Sequence, residues 1–136
     1  MANGKALKRV RIDDLLTFSP ITQNQDKTYK AYKEGKHLVL HGLAGTGKTF
    51  ISLYLALEEI LNKSTLVNDI FIVRSIVSTR DIGFLPGDEQ EKVSIYEAPY
   101  RSICSELFNV VDAYDSLKYQ SNIKFIKINT RREIKN

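Results

Sequence analysis

Apolar positions along the chain fall into alternating helical and strand-like patterns. Residues 1–20 keep no sustained period and read as an extended lead-in ending at Ser19-Pro20. Over residues 22–34, Gln25, Tyr29 and Tyr32 follow Ile21 at helical spacing and share one face, which predicts a short helix. Gly35 stops it, at the position a left-handed C-terminal residue prefers. His37, Leu38, Val39, Leu40 and His41 form a short apolar run before a glycine and read as a buried strand. Residues 48–62 predict a helix whose apolar bulk comes from Phe50, Ile51, Leu55, Ile60 and Leu61. Residues 69–74 are branched and aromatic and predict a second strand. Residues 75–96 read as a long loop region, and 99–117 as one amphipathic helix carrying Ile103, Leu107, Val110, Tyr114 and Leu117. Residues 123–128 complete the pattern as a third strand. Strand, helix, strand, helix, strand is the order of an α/β fold.

Composition narrows the class. The chain has 136 residues, of which 43% are hydrophobic, 26% charged and 10% aromatic. That is globular composition, of a length that suits one domain. The single cysteine, Cys104, excludes an internal disulfide and reads as a small hydrophobe beside the last helix's stripe. His37, His41 and Cys104 match no zinc spacing. No apolar run approaches the roughly 18 residues of a membrane helix, so no membrane partner is expected. The first eleven residues are basic without a following apolar stretch, so no signal peptide is expected. The formal net charge is +4. It is concentrated at the two ends, where Lys124, Lys127, Arg131, Arg132 and Lys135 crowd the C-terminus. Basic ends suit nucleic-acid phosphates, and equally suit solvated termini.

The informative segment is Gly42, Leu43, Ala44, Gly45, Thr46, Gly47, Lys48 and Thr49. It fits the pattern G-x-x-x-x-G-K-[ST], with an apolar run before it and a helical period after it. The glycines let the backbone turn tightly and bring bare N–H groups against phosphate oxygens. The start of the helix adds the positive end of its dipole. Lys48 is placed to reach the β- and γ-phosphates, and the Thr49 hydroxyl to ligate Mg²⁺. ATP and Mg²⁺ are therefore the expected ligands, with Lys48 and Thr49 as the residues carrying the chemistry.

A second block reads Val73, Arg74, Ser75, then Asp81, Ile82, Gly83, Phe84, Leu85, Pro86, Gly87, Asp88, then Glu91 and Lys92. Together the two blocks resemble the PhoH family of P-loop ATPases, in particular the PhoH-like proteins of large phages, over residues 20–108. The resemblance implies an ATP-hydrolysing domain with a helicase-like parallel sheet, associated with phosphate starvation and with RNA metabolism. It also implies a homo-oligomer acting in the cytoplasm (the host cytoplasm for a phage protein). One site residue beyond the loop comes with it. A glutamine upstream of the loop hydrogen-bonds adenine in helicase-like relatives, which makes Gln25 a nucleotide-binding candidate. Gln25 is also the fourth residue of a Thr22-Gln23-Asn24-Gln25 capping box. Arg74 and Arg80 flank the second strand's exit, where ligands of open α/β sheets gather. Each is a candidate contact to nucleic acid or to a neighbouring subunit's γ-phosphate, or the partner of a carboxylate such as Asp81.

Hydrolysis requires more than a phosphate loop. In the resembled family an apolar strand ending in Asp-Glu supplies the Mg²⁺ acid. The run from Leu107 to Asp112 is a poor match, because Asn109 interrupts it and Ala113 follows. Asp69 precedes its strand instead of ending it. The expected organisation is a lead-in over residues 1–20 and, over 21–136, the N-terminal portion of a P-loop core whose sheet is incomplete. Such a chain would leave the strand at 38–41 short of a hydrogen-bonding neighbour. The alternative to an ATPase is a non-hydrolysing nucleotide-binding or interaction module that docks on a full-length homologue. A small nucleotide kinase would need an arginine-rich lid, which the sequence lacks.

Overall fold

A computed structural model describes residues 9–63, 65–77 and 89–130. Helix α1 spans Gln23–Lys33. Its N-cap, Thr22, accepts the Gln25 N–H, and Gln25 Oε1 accepts the Ile21 N–H. Gly35, at φ 82°, ends it as expected. The Gly35 N–H donates to the Tyr32 carbonyl and the Lys36 N–H to the Ala31 carbonyl, the two bonds of a Schellman cap. Helix α2 spans Lys48–Asn62, strand β1 Ile70–Val77, helix α3 Glu89–Phe108, helix α4 Ala113–Tyr119 and strand β2 Ile123–Thr130. The strands pair in parallel with Ile70 opposite Ile123, and α3 and α4 form the crossover between them.

Helix α2 is the centre of the core. Leu53, Tyr54, Leu55, Leu57 and Ile60 are buried on it, against Cys104, Leu107 and Phe108 of α3, and Tyr114 and Leu117 of α4. Residues 9–20 join that core. Val10 is buried and bracketed by Gln120, whose Oε1 accepts the Val10 N–H at 2.6 Å. Phe18 sits edge-on to both Phe50 and Tyr54, with ring centroids 5.1 Å and 5.6 Å away. On α1, Tyr29 and Tyr32 turn to the core as the helical period predicts, whereas Ile21 is exposed.

Three sequence expectations are corrected. The run at 37–41 is not a strand among the described residues. Leu38 and Leu40 are half-buried, but Val39 is 90% exposed, so the run alternates and is covered on one side only. A strand needs a neighbour, and none pairs with it among the described residues. The single helix expected at 99–117 is two. Asn109 takes φ 53°, and the Val110 N–H reaches back to the Ser105 carbonyl, capping α3. The loop expected at 75–96 is shorter: β1 continues to Val77, and α3 begins at Glu89 and runs through Pro99. Proline has no N–H to give the Ile95 carbonyl one turn back, and beside it the Tyr96 carbonyl accepts Arg74 Nη1 at 3.1 Å.

The two-stranded sheet is covered on one face. Ile70 and Ile72 pack on the core and Ile76 and Ile123 are buried, but Phe71 and Val73, each 55% exposed, share the other face with Ile126 and Ile128. Parallel strands are normally covered on both faces.

Two phenols and a thiol give the fold an alkaline limit. Tyr114 donates to Glu97, which also takes Lys118 Nζ at 2.8 Å, and Tyr32 donates to Glu59. Burial, then the adjoining carboxylate, pushes both phenols up from 10.0. Burial pushes the Cys104 thiol up to about 12. The unfolded chain therefore releases these protons first, so the stability they contribute is present below their ordinary values and is lost as pH rises past them. Urea midpoints should be level up to about pH 8, begin to fall near pH 9 as the unfolded thiol ionises, and fall more steeply above about pH 10 as the phenols follow. A midpoint unchanged at pH 10.5 would contradict this.

Candidate nucleotide-binding site

The expected phosphate loop forms a turn between the extended run at 37–41 and α2. Gly45 and Gly47 take φ 83° and 86°, the left-handed region that other residues occupy at a cost. No heavy atom lies within 4 Å of where a Cβ would stand on either. Gly45→Ala or Gly47→Ala should thus cost about 1 kcal/mol from backbone strain and not from collision. Thermal unfolding of the two variants checks this, and a loss under about 0.3 kcal/mol would refute the strain argument.

Lys48 opens α2. Its Nζ donates to the carbonyls of Gly42 and Leu43, each at 2.8 Å, and lies 3.5 Å from Thr46 Oγ1. Thr46 Oγ1 itself donates to the Leu43 carbonyl at 2.8 Å, closing the loop on itself. The first helical bond, from the Ile51 N–H to the Gly47 carbonyl, leaves the N–H groups of Lys48, Thr49 and Phe50 without partners one turn back. No acid stands in the first turn of α2, and no carboxylate pairs with Lys48 among the described residues. A cation at a helix N-terminus opposes the dipole and is unfavourable unless an anion joins it. Thr49, the second helical residue, is exposed.

A cleft of about 540 Å³ runs from this loop to the start of α1. Its loop end is lined by Gly42, Thr46 and Lys48, its far end by Thr22, Asn24, Gln25 and Thr28. The volume lies within the ~300–1,000 Å³ typical of small-molecule sites. Gln25 therefore stands in the same cleft as Lys48; of the expected capping box only the Thr22 half forms, because Gln25 Oε1 accepts the N–H of Ile21, one residue before the N-cap. His41, Asn24 and Thr28 line the cleft without having been singled out in the sequence. Asn24 and Thr28 are one helical turn apart, a spacing that the period of α1 makes visible once Gln25 is chosen.

Arg74 lies outside this cleft. Arg74 stacks over Tyr96 and Tyr100, 5.3 Å and 5.9 Å from the ring centroids, so its guanidinium holds β1 to α3. Arg80 and the 83–88 block fall outside the described residues, as do most of the basic termini. No cluster of metal-ligating side chains occurs among the described residues. No helix among them is long and apolar enough to cross a membrane.

A family model described as PhoH-like protein matches residues 17–133. The chain belongs to the PhoH-like family. It is 35% identical over 88 residues to a PhoH-like protein of Synechocystis sp., covering 60% of this chain and 26% of that one. It is 41% identical over 68 residues to Protein PhoH of Escherichia coli K12, covering 48% and 19%. It is 32% identical over 111 residues to Protein PhoH2 of Bacillus subtilis, covering 78% and 25%. The matched part of this PhoH-like chain thus spans about a quarter or less of each relative's length. No solved structure matches it significantly.

Proposed function

We propose that this PhoH-like chain binds Mg-ATP through the loop from Gly42 to Thr49. The observation that carries the reading is the unneutralised Lys48 ammonium, held over the loop by two carbonyls beside unpartnered helical N–H groups. Those groups are a cradle for phosphate oxygens. The residues fit the group. The glycines leave the backbone bare, Lys48 supplies a cation, and the exposed Thr49 hydroxyl can enter a Mg²⁺ shell otherwise made of phosphate oxygens and water. Bound Mg²⁺ would neutralise phosphate charge, and Lys48 would hold the phosphates in place. Gln25 is the base-side candidate.

Hydrolysis coupled to RNA, with Arg74 and Arg80 as contacts to nucleic acid or to a neighbouring subunit in a cytoplasmic oligomer, is the activity we assign to the full-length type of PhoH protein. A second reading rests on two observations. No carboxylate lines the cleft among the described residues, and the outer sheet face around Phe71 and Ile126 is open. In it the chain binds nucleotide without hydrolysing it and docks on a full-length homologue. Equilibrium titration with ATP, with and without Mg²⁺, tests the first reading through Thr49→Val, which should reduce the Mg²⁺-dependent gain in affinity. Light scattering of a full-length PhoH protein with and without this chain tests the second, and an unchanged mass would sink it.

A further inference from the structure

A further cleft of about 540 Å³ lies at the C-terminal end of α2, where Arg9, Arg11, Asp13 and Lys63 are among its lining residues. The 15 residues of α2 set it about 22 Å from the phosphate loop, at 1.5 Å per residue. Val10 pins the lead-in there. Its side chain is buried, and the Gln120 amide takes both its N–H and its carbonyl. Arg9 and Arg11 are exposed on either side of it, and Arg11 is extended, at φ −124° and ψ 170°. Alternate side chains of an extended chain share a side, so the two arginines leave the backbone roughly 6–7 Å apart, on the side away from the core. Lys63, exposed at the C-cap of α2 with φ 55°, brings a third cation from a separate stretch of chain. Among the described residues none of the three is in an ion pair, with Asp13 or with any other acid. No aromatic side chain among those residues lines the cleft.

We infer that this cleft holds the phosphodiester backbone of a single-stranded nucleic acid, RNA and DNA alike, separately from any nucleotide at the loop. Three unneutralised cations against one acid attract a polyanion, and two of them stand in series as the phosphates of a strand do. Guanidinium groups match phosphate oxygens two at a time. An acidic peptide would bring its charges on long side chains, and each contact would cost rotamer freedom. A phosphodiester carries its charge in the chain itself. Without an aromatic platform the bases have nothing to stack on in the cleft, so it does not read sequence. Phosphate contacts are common to RNA and DNA, so it does not read the sugar. Arg74, the contact expected from sequence, is held by the Tyr96 carbonyl and two tyrosine rings, whereas these three cations have no acid to hold them.

The test is fluorescence anisotropy of the full chain with labelled oligo-uridylate and oligo-deoxythymidylate of about ten nucleotides, within the site sizes of such grooves, over a salt series. Replacing the three cations together, as Arg9→Ala, Arg11→Ala and Lys63→Ala in one chain, should weaken both oligomers more than about tenfold at low salt. The slope of log affinity against log salt should flatten by about 2, at about 0.7 per phosphate contact. Asp13→Asn removes a repelling charge and should tighten both oligomers by similar factors. Asp14, not Asp13, accepts the Arg11 N–H, so the local turn is kept. The replaced side chains are exposed, and unfolding midpoints should not move. The triple variant should keep the parent's affinity for Mg-ATP, and Lys48→Ala should keep the parent's affinity for the oligomers, because the two sites lie at opposite ends of α2. The inference is overturned by a parent chain that binds neither oligomer, or by a triple variant that binds them as its parent does. It is also overturned by a preference above about tenfold for one oligomer, or by polyglutamate that displaces the label as readily as an unlabelled oligomer of equal charge. Loss of ATP binding in Lys48→Ala or in the parent bears on the loop alone, so the two readings fail separately.

Discussion

Lys48→Ala is expected to lower affinity for Mg-ATP by about ten- to hundredfold while leaving the fold as stable as before. The loss follows from removing charge-assisted hydrogen bonds to phosphate, worth about 1.5–3 kcal/mol, at about 1.4 kcal/mol per tenfold. The unchanged stability follows from what Lys48 touches. Its Nζ meets only loop oxygens, it pairs with no carboxylate among the described residues, and its charge opposes the α2 dipole. A lysine kept for stability would be expected at the other end of that helix. Urea unfolding should give midpoints for parent and variant that agree within about 0.5 kcal/mol, as for ordinary surface changes. A variant that loses stability as well as binding would mean that the loop is held by Lys48 for structural reasons.

The largest loss of stability is expected from Leu57→Ala. Leu57 is fully buried in α2, in the cluster that α2 shares with α3 and α4. Truncating a buried leucine costs about 2–5 kcal/mol, from lost burial and from the cavity left behind. A domain of this size has about 5–15 kcal/mol in total, so the variant should unfold at markedly lower urea and lose nucleotide binding indirectly. Leu66, 97% exposed, is the control, and Leu66→Ala should stay within about 0.5 kcal/mol. Equal effects at the two positions would contradict the packing described.

The parts of this molecule that were legible from sequence are those decided within a few residues. The cap at Thr22, the stop at Gly35, the bounds of α2 and the β-branched cores of β1 and β2 each depend on local chemistry. The turn from Gly42 to Gly47 that leads into α2 was legible for the same reason, because its glycines and Lys48 lie within one short segment. What was not legible depends on distant chain. Whether 37–41 becomes a strand depends on a pairing neighbour, which periodicity does not reveal. Phe18 lies in an irregular stretch, and only its place between Phe50 and Tyr54 marks it as core. Asn109 in a left-handed conformation breaks a period that otherwise runs on through Tyr114 and Leu117. Asn24 and Thr28 become site candidates only when α1 is brought against the loop. Gln25 carried two readings in sequence, and the hydrogen bonds around it show the cap without removing it from the cleft.

The central claim is that the loop from Gly42 to Thr49 is a working triphosphate site in this chain. Calorimetric titration of the purified, folded chain with Mg-ATP tests it most directly. Saturable one-to-one binding that disappears with Lys48→Ala is the predicted result. A folded chain that takes up no heat from Mg-ATP, or a Lys48→Ala variant that binds as tightly as its parent, would contradict it.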